Sequence, residues 1–226
     1  MQRARRLALV AVLPLLGVLA LAGCRSEPGV AAYVGGTKYT VEQVDALAAE
    51  GRDKISRDYG VVRQTVLSWL LIRDVGQVAA KERGLTLQPA DAADVVAQNG
   101  LRPNSPLAQL YVDEQAVINA LKKSATVVEP TEADQREVYS HLSVGGRQLP
   151  PFDEVRQYLT KESIGAELGL RTTLSDLLAA AKVQVNPLYT PLLYPIPVQI
   201  GQVPGFILAP LSGVTTSPVT GASGSA

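Results

Sequence analysis

The clearest repeating pattern of apolar and polar positions lies in residues 60–84 and predicts a long helix. Lys81 in its last turn suits the helix dipole, and Gly84 supplies a left-handed residue that can end it. A helix of this kind is stable only when other segments cover its apolar stripe, so the rest of the chain is expected to pack around it. Steps of three or four residues place its apolar side chains on one face: Val62, Val66, Trp69, Ile72, Val75 and Ala79.

Five further segments carry helical periodicity or helix-start signals. Thr40 and Gln43 form a capping box for the first of them. Pro89 opens the second, which ends near an Asn-Gly pair. The last is expected to be one long helix, bent by Gly165 and Gly169. The predicted helices span residues 40–51, 89–100, 107–124, 130–142 and 152–182.

Short β-prone runs lie near both ends of this helical region. Residues 31–34 and 37–39 flank Gly35-Gly36, which predicts a hairpin with a two-residue turn. Val183-Gln184-Val185 is a compact strand signal in need of a partner. The sequence therefore predicts a mainly α fold with a small β element.

The chain after residue 182 has no charged side chain. Its many prolines lead us to interpret residues 188–211 as extended and irregular, and residues 212–226 as disordered. An alternative is that residues 192–211 lie in a groove of the protein itself, like an extended client.

Composition and charge exclude several functional classes. The first 23 residues contain Arg3, Arg5 and Arg6 and no acid; without them, acidic side chains outnumber basic ones by three, so no nucleic-acid footprint remains. One cysteine and one histidine exclude an intramolecular disulfide and fall short of the usual metal-ligand count.

The N-terminus is organised like an export signal. The arginines precede an uncharged, mostly apolar run at residues 7–22, which ends in Leu21-Ala22-Gly23-Cys24. These four residues resemble the bacterial lipobox, in which the cysteine becomes the lipid-modified first residue of the mature protein. The resemblance implies a lipoprotein signal peptide at residues 1–23, a lipid anchor at Cys24 on the extracytoplasmic face of the cell membrane, and a linker at residues 24–30. The alternatives are a plain signal peptide or an uncleaved anchor, for which the apolar run is short.

Four short motifs follow one another along the mature chain. They are Tyr-Val-Gly-Gly with Tyr-Thr at residues 33–40, the helix at residues 67–85, Pro-Phe-Asp-Glu-Val-Arg at residues 151–156, and Ala-Lys-Val-Gln-Val-Asn-Pro at residues 181–187. In this order they resemble the SurA/PrsA-type extracytoplasmic chaperones and foldases. The resemblance implies a SurA N-terminal-like helical domain at residues 31–188, in which the opening strand pairs with the closing strand. Residues 189–226 are then a Pro-rich, uncharged, largely disordered tail.

That family usually carries a parvulin-type prolyl-isomerase domain between the two halves. The corresponding join here, residues 142–151, is too short to hold it. The sequence therefore predicts a membrane-anchored, chaperone-like protein that binds unfolded or extended polypeptide without catalytic residues, cofactor or metal. A scaffolding lipoprotein that binds one folded partner is the alternative, and an isomerase-type foldase is disfavoured.

Trp69 and Tyr111 are the candidate peptide-binding residues, although aromatic residues at helical spacing more often belong to a core. They would contact a client if part of the apolar surface forms a groove open to solvent.

Polar side chains suggest two further sites, both disfavoured. Ser140 and His141, with Asp134 and Asp153 nearby in sequence, lack a nucleophile elbow or an oxyanion loop, so we interpret His141 as structural or exposed. Four acidic residues are interpreted as parts of solvated helix faces and not as acid/base pairs: Asp91, Asp94, Asp113 and Glu114.

Overall fold

The computed structural model describes residues 29–88, 100–145 and 148–212. Cys24 and the export signal lie outside the described residues, as do the helix predicted at residues 89–100, apart from its last residue, and the end of the tail.

Six α-helices and five strands form the described part of the chain, of which about half is helical. The fold is therefore better described as mixed helix and sheet than as mainly α. None of the described helices combines the length and apolar character that crossing a membrane requires. In chain order the elements are β1 (Val30–Val34), β2 (Thr37–Thr40), α1 (Val41–Gly51), α2 (Tyr59–Glu82), α3 (Pro106–Ser124), α4 (Glu132–Ser140), α5 (Phe152–Arg156), α6 (Lys161–Ala180), β3 (Gln184–Val185), β4 (Leu193–Ile200) and β5 (Val203–Pro210).

Helix α2 is the centre of the core, as its pattern predicts. The Asp58 side chain caps its first turn, and Gly84, at φ 65°, follows its end. All six side chains of the predicted stripe are buried, and so are Leu67, Leu70 and Leu71 on other faces. A helix buried on most of its circumference must be covered on several sides; α1, α3, α6 and the sheets provide that cover.

The two ends of the helical region meet in a three-stranded antiparallel sheet of order β2-β1-β3. Ala32 of β1 pairs with Val185 of β3, which confirms the predicted pairing of the opening and closing strands. The Asn186 side chain donates a hydrogen bond of 2.7 Å to the Val30 carbonyl and accepts one of 3.0 Å from the Leu188 amide. The bond from Asn186 to Val30 therefore reinforces the backbone pairing of β3 with β1.

The prediction of one long helix at residues 152–182 is wrong, because two helices, α5 and α6, occupy this region. Thr160 and Ser163 form a capping box that starts α6, and the turn before it keeps Leu159 fully buried. Gly165 and Gly169 have a packing role. A Cβ at Gly169 would lie 2.1 Å from the backbone oxygen of Thr126, which crosses α6 there.

Residues 188–211 are largely extended, as predicted, but the prediction that they are irregular is wrong. Strands β4 and β5 form an antiparallel hairpin whose two-residue turn begins at Gly201, with a positive φ of 61°. One face of the hairpin packs on the helices, so the domain does not end at residue 188, and the largely disordered tail predicted from residue 189 is packed structure as far as residue 212. The buried side chains of that face are Tyr194, Ile196, Val198, Ile207 and Ala209.

The register of the hairpin explains how it accommodates its prolines. The Leu211 amide donates 2.9 Å to the Leu192 carbonyl, so residues 192 and 211 form a hydrogen-bonded pair. Hydrogen-bonded and non-hydrogen-bonded pairs alternate along an antiparallel ladder. The next pair, Leu193 with Pro210, is therefore not hydrogen-bonded, and its backbone groups point outward. Each strand proline occupies such an outward position and removes no ladder hydrogen bond: Pro195, Pro197, Pro204 and Pro210.

Candidate functional site

A cleft of about 450 Å³ lies between α2, α3 and the β4–β5 hairpin, with Leu170 of α6 also in its lining. Its size falls within the roughly 300–1,000 Å³ typical of ligand sites. Residues from two helices and one hairpin meet here because the hairpin packs on the helices through one face only and leaves a recess along β4.

An aromatic pair lines the helical side of the cleft. The ring centroids of Trp69 on α2 and Tyr111 on α3 lie 4.7 Å apart, with the planes tilted by 41°. Trp69 is 9% exposed and Tyr111 is partly buried. The two candidates named from the sequence are therefore neighbours: Trp69 belongs to the buried core, Tyr111 packs against it, and both reach the cleft. Paired aromatic rings offer a large, rigid apolar surface to a ligand.

Amide side chains on α3 add polar character to this wall. Gln115 and Asn119, one helical turn apart, both line the cleft. Gln115 Nε2 donates 2.9 Å to Glu114 Oε2, which leaves the Gln115 carbonyl oxygen as an acceptor. An amide can both donate and accept, as the backbone of an extended polypeptide does.

The opposite wall comes from the hairpin and was missed by the sequence reasoning. Leu193, Pro195 and Pro197 of β4 and Phe206 of β5 line the cleft. Leu193 is 39% exposed, a high value for leucine in a folded protein. The only signal for this wall is the lack of charge after residue 182, and uncharged, proline-rich stretches are usually irregular.

One ion pair lies at the edge of the cleft. Lys122, a lining residue of α3, donates 2.6 Å to Glu167 Oε1 on α6. Because Glu167 neutralises this lysine, the lining presents apolar and amide groups and little net positive charge.

Glu114 lies directly behind the cleft wall. The interpretation of this residue as part of a solvated helix face is therefore wrong. Its side chain is fully buried, and burial raises the pKa of its carboxyl to about 7. The Tyr194 hydroxyl and the Gln115 amide partly oppose that rise, yet Oε1 completes no hydrogen bond of ordinary geometry. A sequence signal for this burial exists, because position 114 continues the buried stripe of α3: Leu107, Leu110, Val117 and Leu121.

The residues of the disfavoured Ser/His/Asp site are engaged elsewhere. The Ser140 hydroxyl donates 2.7 Å to the Glu137 carbonyl, and Asp134 accepts 2.6 Å from Arg171. The His141 ring stacks on Phe206 at 4.3 Å, and Asp153 lines a separate recess beside α5. The structure therefore does not join these side chains into a nucleophile and base.

Among the remaining acidic candidates, Asp113 accepts 2.7 Å from Gln109, whereas Asp91 and Asp94 lie outside the described residues. Within residues 29–88, 100–145 and 148–212, no group of three or more His, Cys, Asp or Glu side chains is placed to hold a metal ion. Comparison of the chain with family models, with curated proteins and with solved structures found no match.

Proposed function

We propose that this protein is a membrane-anchored, chaperone-like protein that binds unfolded or extended polypeptide in the cleft between α2, α3 and β4, without catalysis. The observation that carries the proposal is the cleft itself, with an aromatic pair and exposed Leu193 on its walls and amide groups between them.

The chemistry of the lining matches a short apolar stretch of polypeptide. Apolar side chains of the peptide would be buried against Trp69, Tyr111 and Leu193. This interaction is non-directional and tolerant of sequence. Gln115 and Asn119 can exchange hydrogen bonds with the peptide groups between those side chains. The order of sequence motifs that resembles the SurA/PrsA-type chaperones supports the same function.

A lipid at Cys24 would hold the domain close to the membrane on its extracytoplasmic face. Only residues 25–29 separate Cys24 from the start of β1, and each residue spans at most about 3.6 Å. The cleft would then meet polypeptides that have just crossed the membrane.

The cleft contains its own reporter, because Trp69 is the only tryptophan in the chain. The domain of residues 25–226 should show a saturable change in Trp69 emission when titrated with unstructured apolar peptides. A charged, polar peptide of equal length should leave the emission unchanged.

Two substitutions of exposed apolar residues locate the binding. Leu193→Glu adds a charge to the cleft wall, and we expect peptide affinity to fall at least tenfold. Val78→Glu is the matched control, since Val78 is 59% exposed on α2 and is not a lining residue. Both variants should melt close to the wild type. Equal peptide affinities for the two variants would refute the cleft as the site.

Two functional assays separate the proposal from its alternatives. The domain should slow aggregation of an unfolded client at near-stoichiometric ratio and leave the cis/trans exchange rate of a prolyl test peptide unchanged. Acceleration of that exchange would indicate a foldase. Indifference to every unfolded client, with saturable binding to one native protein, would indicate a scaffolding lipoprotein.

A further inference from the structure

The cleft-facing edge of β4 has an uneven set of backbone hydrogen-bonding groups. Residues 193, 195, 197 and 199 direct their backbone groups away from β5, because each is an outward position of the ladder. Two of these positions are prolines, which have a carbonyl but no N–H. Over the centre of the strand, the edge therefore offers acceptors only.

The other edge of the hairpin is occupied by the protein itself. The Ser143 amide donates 2.9 Å to the Pro204 carbonyl, and the Leu208 amide donates 3.0 Å to Glu137 Oε1. The outer edge of β5 thus faces α4 and the segment after it. The outer edge of β4 lies on the opposite side of the hairpin, where residues 193–197 line the cleft.

We propose that Pro195 and Pro197 determine which polypeptide segments the cleft accepts, by making the edge of β4 a one-sided, acceptor-only ladder. This inference rests on the proposed function. A bound segment can donate the N–H of every second residue to the carbonyls of Pro195 and Pro197. It receives nothing in return from these positions, so ordinary strand addition, which exchanges hydrogen bonds in both directions, is not completed.

This edge selects ligands in two ways. Segments with free N–H groups at alternate positions are favoured, and segments with proline at those positions are disfavoured, since proline and the edge would then present carbonyls to each other. The edge also blocks pairing between two copies of the hairpin, because strand edges that lack donors make poor templates for association.

The test uses a peptide that binds the domain of residues 25–226, followed by Trp69 emission, and a series of its single N-methylated forms. For the wild type, N-methylation at alternate residues should weaken binding at least fivefold, and at the intervening residues less than twofold. The double variant Pro195→Ala/Pro197→Ala gains two donors and should bind the parent peptide about tenfold more tightly. Pro204→Ala, on the occupied edge of β5, should bind it like the wild type.

Hydrogen exchange examines the edge independently of any ligand. The two amides created in the double variant should exchange rapidly in the free domain and slowly once peptide is bound. Protection in the free domain, an unchanged affinity of the double variant, or N-methyl effects without alternation would each overturn the inference. If the wild type binds no peptide but the double variant does, the acceptor-only edge is supported and the proposed function fails.

Discussion

The Glu114 carboxyl of α3 interacts with the Tyr194 hydroxyl of β4 in the interior of the protein, and both side chains are buried. Burial raises the pKa of each group, and the Glu114 charge raises the pKa of Tyr194 further. The contact joins the helical part of the core to the hairpin directly behind the cleft. The ionisation of one carboxyl therefore influences how firmly the hairpin is held.

Glu114 should make the protein less stable as pH rises. Its folded-state pKa of about 7 exceeds the ordinary value of 4.5, so the folded state binds the proton more tightly than the unfolded state. This stabilisation is fully present below pH ~4.5 and is lost as pH rises through the folded pKa. The free energy of unfolding then falls by on the order of 3 kcal/mol. Glu114→Gln removes this titration.

Melting temperatures of the wild type and Glu114→Gln, measured from pH 5 to pH 8.5, test this linkage. The stability of the variant relative to the wild type should increase from pH 5 to about pH 7 and level off above it, where the carboxyl is ionised in both the folded and the unfolded state. Parallel curves would show that Glu114 ionises in the folded protein as it does in the unfolded chain.

Gly169 should not tolerate alanine. The added Cβ would lie 2.1 Å from the Thr126 backbone oxygen, and a backbone atom cannot turn aside as a side-chain end can. We expect Gly169→Ala to lower the free energy of unfolding by about 1–3 kcal/mol or more, as overpacking does. Chemical denaturation measures the loss.

Gly36→Ala is the control for this substitution. Its Cβ would meet nothing within 4 Å, and Gly36 has no positive φ, so stability should stay within about 0.5 kcal/mol of the wild type. Equal losses in the two variants would mean that the approach of residues 126–128 to α6 is not tight.

Elements specified by nearby residues were predictable. The stripe of α2, the Thr40–Gln43 capping box and the Gly35-Gly36 turn each depend on side chains a few positions apart, and all three are present. The pairing of β1 with β3 was predictable because each of these short β-prone runs needs a strand partner.

Elements that depend on distant partners were not predictable. A strand tolerates proline only at positions whose backbone groups point away from the paired strand. Which positions these are depends on the strand register, which the sequence does not reveal; Pro195, paired with Leu208, is an example. The break before α6 depends on whether Thr160 and Ser163 form a cap or continue the helix, and buried Leu159 fits either outcome. The same reason explains why only part of the cleft was predicted. Its helical wall was named from the sequence, whereas its hairpin wall was not.

Lipidation at Cys24 stays a prediction, since this residue lies outside the described part of the chain. Cys24→Ala removes the thiol to which the lipid would be attached, so the variant should remain unprocessed. Mass spectrometry and detergent partitioning of the protein from intact cells provide the measurement. A variant with the mature mass and the partitioning of the wild type would exclude the anchor.

Three C-terminal truncations separate the contributions of β3 and the hairpin to stability. A chain ending at Leu211 keeps all strands of the described residues and should melt within a few degrees of the full chain. A chain ending at Thr190 keeps the β1–β3 pairing and loses the hairpin. A chain ending at Lys182 loses both. The chain that ends at Thr190 exposes part of the core and lacks large side chains that are buried in the full chain, among them Leu192, Tyr194, Ile196, Val198 and Ile207.

Burying each such side chain contributes about 1.5–3 kcal/mol as an upper value, and a whole domain is stable by only about 5–15 kcal/mol. We therefore expect the two shorter chains to lack a cooperative melting transition, with near-ultraviolet circular dichroism as the measurement. The chain ending at Thr190 decides between two roles for the hairpin. If it melts like the full chain and binds peptide more tightly, the hairpin is a removable occupant of the groove; if it unfolds, the hairpin is a wall of the site and part of the core, as its buried face indicates.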